Sequence, residues 1–170
     1  MFKTIKIPVL GPTTKLTSRA ASEEVLLTGD EAYPVQGEIV NDSLVSVLTN
    51  KIPEILSEIR GLHRYWDCLP KTKKAAKILG FGEVWVGSLL VVSGDYKSEY
   101  GYLFNPPYEF HSWLSLDDSG TILDVALPGV IEMGLITSDE VGPYLVDREP
   151  YILAGKPPLW CKYVPVEVVT

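Results

Sequence analysis

His111 and Asp124 stand thirteen positions apart, and an imidazole held by a carboxylate is the pairing best suited to moving a proton near neutral pH. Around them Phe110, Leu114 and Leu116 alternate with His111, Trp113 and Ser115. Asp117-Asp118-Ser119-Gly120 then supplies a turn, after which Leu123 and Val125 alternate with Ile122, Asp124 and Ala126. A period of two on both sides of a turn signal predicts a β-hairpin. If Leu116 pairs with Thr121, Trp113 faces Asp124, and His111 lies diagonally beside the carboxylate on the same face, about 7 Å across the strands. The other face then gathers Phe110, Leu114, Leu116, Leu123 and Val125, so burying the apolar residues selects the register that joins imidazole to carboxylate. A slip of one residue would send the two to opposite faces.

A base of this kind needs a group to activate, and Cys68 is the better placed of the two cysteines. It comes just ahead of Leu69-Pro70-Lys71-Thr72-Lys73-Lys74-Ala75-Ala76-Lys77-Ile78-Leu79-Gly80. Proline in the first turn, good helix formers and a terminal glycine predict a helix that begins at the cysteine. Unpaired amides and the dipole at a helix N-terminus favour a thiolate, and the same amides can hold an oxyanion beside the sulfur. Asp117 and Asp118 fall in the turn, where Asp bonds the local backbone. Ser112 points away from His111, and Ser115 lies beyond Trp113. The catalytic residues read from the sequence are therefore Cys68 as nucleophile, His111 as base and Asp124 as its orienting acid.

This order and setting resemble the papain-like and transglutaminase-like cysteine enzymes, especially small bacterial and phage members such as the leader peptidases of lasso-peptide pathways. The matching residues are Cys68, the strand Phe81-Gly82-Glu83-Val84-Trp85-Val86-Gly87, His111-Ser112-Trp113 and Gly120-Thr121-Ile122-Leu123-Asp124, so the likeness runs from Asp67 to Val125. It implies an α+β fold in which N-terminal helices, one starting at the cysteine, pack on an antiparallel β-sheet. It also implies a cysteine-dependent hydrolase or acyl transferase, peptidase-like or amidase-like, acting on a peptide or other amide without a cofactor. Two departures stand out. Pro70 removes one backbone amide near the sulfur, and the Gln or similar donor often found just before the cysteine is replaced by Gly61-Leu62-His63-Arg64-Tyr65-Trp66-Asp67. Tyr65, Trp66 and His63 all stand open as oxyanion donors. These departures keep a second expectation alive: a catalytically inactive binding or structural module of the same fold. The residues expected to meet substrate are Trp66, Trp113, Tyr65 and Tyr102. Tyr102 would wall a groove with Tyr96, Tyr100 and Tyr108, unless these tyrosines merely decorate a hairpin connection.

The chain has 170 residues, enough for one domain with a proper core and too few for two. With 46% apolar and 22% charged residues, it reads as a folded globular protein rather than a disordered one. A net charge of -7 without a basic cluster argues against nucleic acid and anionic membranes as partners. Lys71, Lys73, Lys74 and Lys77 read as a solvated helix face. No apolar run is long enough to span a bilayer, and Met1 to Pro8 alternates like a strand rather than a secretory signal. Two cysteines do not make a disulfide framework, so a reducing, cytoplasmic setting is expected. A metal site would use His63, Cys68, His111 and Cys161, the whole Cys and His inventory, and His63 with Cys68 lacks the close spacing of zinc ligands. No metal is expected, and Cys161 reads as a core residue.

Residues 1–40 mix short strand-like pieces with turns and read as an extended segment packed on or over a core formed by residues 41–170. Leu44, Val45, Leu48, Ile52, Ile55, Leu56 and Ile59 recur at helical spacing behind a cap at Asn41, Asp42 or Ser43. Pro53 interrupts them, predicting a kink or two short helices. Glu83 to Ser93 reads as a buried strand and Gly94 to Tyr108 as a loop. Leu127-Pro128-Gly129 reads as a turn before a short helix over Val130 to Leu135. Tyr151 to Val169 reads as one or two closing strands that turn at Pro157-Pro158.

Overall fold

The computed structural model describes residues 3–4, 33–62, 67–93, 96–102, 110–136 and 149–170, by backbone alone at 3–4, 90–93, 96–102 and 132–136. Helix α1 runs from Asp42 to Ile59, its start capped by Asn41, whose Oδ1 accepts from Ser43 N at 2.9 Å and Leu44 N at 3.2 Å. Leu44, Leu48, Ile52, Ile55 and Ile59 form its buried stripe. Pro53 lies inside this one helix rather than dividing it. The carbonyl that loses a partner belongs to Thr49, which is exposed and open to water, while the apolar stripe on the other side keeps the helix on the core.

Helix α2 begins at Cys68 and ends at Leu79. Gly80 closes it in the left-handed region, φ 78°, donating its N–H to Ala76 O at 2.9 Å. Its inner stripe is Cys68, Lys71, Thr72, Ala75 and Leu79, spaced for one helical face. Lys71 is thus 2% exposed, which corrects the expectation of a uniformly solvated lysine face, although Lys73 and Lys77 are exposed as expected. The stripe that buries the cysteine also buries the residue one turn after it.

The described strands are β1 (Lys3–Thr4), β2 (Val35–Gln36), β3 (Glu38–Ile39), β4 (Glu83–Ser93), β5 (Tyr96–Tyr102), β6 (His111–Ser115), β7 (Ile122–Asp124), β8 (Ile152–Gly155) and β9 (Cys161–Val169). Seven form one sheet in the order β2-β8-β7-β6-β4-β5, with β9 also paired to β4, while β1 pairs with β3. Glu83 to Gly87 of β4 pairs with β6, its later half from Leu89 pairs with β5, and β9 follows Val84 to Val91. The fold is α+β, but the sheet is mixed rather than antiparallel, because β2 pairs with β8 in parallel. Val35 and Gln36 join the sheet from far away in the chain, where no hairpin turn announces their direction.

Two further expectations are corrected. Tyr96 to Tyr102 forms a strand against β4, with Ser93 opposite Tyr96, rather than a loop. Helix α3 extends from Leu127 to Ile136, so Leu127-Pro128-Gly129 is its first turn, where the missing proline N–H has no helical partner to lose.

The hairpin takes the anticipated register: Leu114 pairs with Leu123, Ser115 with Ile122, and Leu116 N donates to Thr121 O at 2.8 Å. Its two faces serve two core clusters. Leu114, Leu123 and Val125 pack with α1 and α2, while Trp113 and Ile122 pack with Leu89, Leu153, Cys161 and the start of α3. No helix among the described residues is long and apolar enough to cross a membrane.

Candidate active site

Helix α2 and the hairpin meet where β6 begins. Thr72 Oγ1 lies 2.9 Å from Cys68 O and 3.2 Å from Ser112 O, so one hydroxyl proton serves the first residue of the helix and the strand beside it. This bridge places Cys68 against the start of β6, where its thiol donates to Phe110 O at 3.6 Å. Ser112 faces away from His111, as its alternation requires, and its hydroxyl donates to Trp85 O at 2.9 Å.

His111 and Asp124 are joined. Nε2 of His111 and Oδ2 of Asp124 are 2.6 Å apart, with the two residues 1% and 0% exposed. The Cys68 side chain lies close enough to act on the ionisation of His111 as well. With Nε2 held by the carboxylate, Nδ1 is the ring nitrogen that can meet the thiol. Burial pulls the imidazole pKa down, but the charge and hydrogen bond of Asp124, followed by the hydrogen bond and charge of Cys68, outweigh it and push the pKa up to about 10. At neutral pH the ring is therefore held in its charged form.

Asp124 is fixed on three sides. Oδ1 accepts from Ala126 N at 2.9 Å, and Oδ2 accepts from Tyr163 OH at 2.7 Å in addition to the histidine. Tyr163 reaches the site from β9, its ring edge-on to Trp113 with centroids 5.1 Å apart and tilted over His111 at 6.2 Å. Gly87, opposite His111 on β4, leaves room for this approach. A Cβ there would strike the Val164 carbonyl and come within 3.0 Å of the Trp113 ring.

The three residues expected to be catalytic are thus brought together from α2, β6 and β7. Trp113, expected to meet substrate, is 3% exposed and lies stacked beside the His111 ring at 6.3 Å, where it excludes water from the imidazole and carboxylate. Tyr65, Trp66, His63 and Tyr108 lie outside the described residues. Tyr102 is described only through its backbone, opposite Leu89. Cys68 retains 7% of its surface, and Cys161 is buried in the second core cluster. Among the described residues, no group of three or more His, Cys, Asp and Glu side chains is arranged to hold a metal ion.

The chain was compared with models of protein families, with curated proteins and with solved structures. It matches none of them. The chemistry must therefore be argued from the site itself.

Sequence reasoning misses Tyr163 and Thr72. Tyr163 carries a usable signal: Cys161 and Tyr163 share one face of a strand pattern, and a tyrosine packed against a core brings a hydroxyl that needs a partner. Thr72 lies four residues beyond Cys68 on the same helical face, where a hydroxyl can reach back to the carbonyl of the earlier turn.

Proposed function

We propose that this protein is a cysteine-dependent hydrolase or acyl transferase of the papain-like and transglutaminase-like kind, acting on an amide or related acyl bond in a reducing, cytoplasmic setting. The observation that carries this reading is the buried His111–Asp124 pair at 2.6 Å with Cys68 close enough to act on the imidazole, the three residues coming from three separate elements. With the proton held on His111 as the imidazolium that Asp124 supports, Cys68 attacks the acyl carbon as the thiolate. As the carbon–nitrogen bond breaks, the imidazolium returns the proton to the leaving amine, and an acyl thioester remains on Cys68. Water or a second amine then attacks that thioester, with His111 taking the incoming proton as the carbon–sulfur bond breaks and the thiolate leaves.

The test uses p-nitrophenyl acetate, a small activated acyl donor. The expected result is a burst of nitrophenolate with one acetyl group on Cys68, located by peptide mass spectrometry, and loss of the burst in C68S and H111A. Acetylation that is absent from Cys68, or equal in H111A, would overturn the proposal.

One observation favours a second reading, that of a binding or structural module without turnover: Cys68 is only 7% exposed. For such a module, acetyl transfer to Cys68 would require unfolding.

A further inference from the structure

We propose that Tyr163 is a positioning residue of this site, whose hydroxyl holds Asp124 and draws charge from the carboxylate, so that His111 is a weaker base than Asp124 alone would make it. The inference rests on the reading of Cys68, His111 and Asp124 as a reactive set.

Both carboxylate oxygens are occupied by protein donors. Oδ1 takes the Ala126 amide, and Oδ2 is shared between His111 Nε2 at 2.6 Å and the Tyr163 hydroxyl at 2.7 Å. Two donors on one oxygen compete for the same charge, so strengthening either bond weakens the other. Burial, followed by the nearby Asp124 charge, holds the phenol pKa well above its usual value, so Tyr163 donates throughout the physiological range without titrating. Cys161 and Tyr151 act on the phenol in the same direction.

Among the described residues, the groups facing His111 are Cys68 from α2, Asp124 from β7, Tyr163 from β9 and Trp113 from its own strand, with glycine opposite it on β4. The ring packing against Trp113 and His111 needs only a phenyl group. The hydroxyl is what requires a chemical explanation, and the substitution Tyr163→Phe would keep the shape without it.

The experiment is proton and nitrogen NMR of the His111 ring in three full-length proteins: the natural chain, Y163F, and a chain with 3-fluorotyrosine, a stronger donor, introduced at position 163 alone. In Y163F the Nε2 proton should move downfield and the His111 pKa should rise by roughly half a unit to one unit. The fluorinated chain should shift both in the opposite direction. Unchanged signals across the three proteins, or shifts of the same sign in both variants, would overturn the role. Iodoacetamide labelling of the same samples separates the two ideas. If Cys68 of the natural chain does not react, the catalytic reading fails while the NMR result still decides the role of Tyr163.

Discussion

The hairpin carries an aspartate at each end, and the two are used in opposite ways. Asp117 sits in the turn, where Oδ1 accepts from Ser119 N at 2.9 Å, Ser119 Oγ at 2.7 Å and Thr121 N at 3.0 Å. Asp124 also accepts three hydrogen bonds, but from His111, Tyr163 and Ala126, with no exposure to solvent. Donor number therefore does not separate a carboxylate that closes a turn from one that holds a histidine. What separates them is that Asp117 satisfies its own loop, whereas Asp124 orients a titratable ring that in turn meets a sulfur.

Removing each carboxylate in turn should pull the two ends apart. Asp124→Ala leaves a buried imidazole without its partner and should lower stability by about 3–5 kcal/mol in urea titrations, with loss of Cys68 acetylation. Gly87→Ala comes next. The new methyl group meets the Val164 carbonyl and the Trp113 ring, so a loss of about 1–3 kcal/mol is expected, with displacement of the aromatic cover read from tryptophan fluorescence. Thr72→Val removes the hydroxyl between Cys68 O and Ser112 O and should cost about 1 kcal/mol while slowing Cys68 alkylation. Asp117→Ala should cost about 1 kcal/mol and leave Cys68 reactivity unchanged.

The two ends should also titrate in opposite directions. His111 has a folded pKa raised from 6.5 to about 10, so its contribution to stability is complete below about 6.5 and disappears as pH rises through about 10. At Asp117, burial raises the pKa but the Ser119 and Thr121 hydrogen bonds outweigh it, leaving it below 3.8. Its contribution is present above that value and lost as pH falls through the lowered pKa. Melting temperatures should accordingly show an alkaline decline that His111→Gln flattens, and an acid decline partly removed by Asp117→Asn.

The hairpin is legible in the sequence because alternation and turn chemistry act over a few residues, and because the apolar face admits one register. The start and stop of α2 are legible for the same reason, from Pro70 and Gly80. Tyr163 is hidden because it joins Asp124 from 39 positions away, through a sheet in which β9 lies along β4. The parallel pairing of β2 with β8 is hidden likewise. Lys71 is misread when charge is weighed ahead of helical position, and β5 when its tyrosines are taken for loop residues although 96, 100 and 102 differ by multiples of two and so share one strand face.

Chemistry at this site requires that the Cys68 sulfur of the folded protein reacts through His111. Iodoacetamide labelling across pH, with the modified cysteine located by peptide mass spectrometry, decides the matter. Cys68 should label in the native protein well ahead of Cys161, and His111→Ala should sharply slow it. Labelling of Cys68 only after denaturation, or at the same rate without the imidazole, would refute a reactive cysteine here.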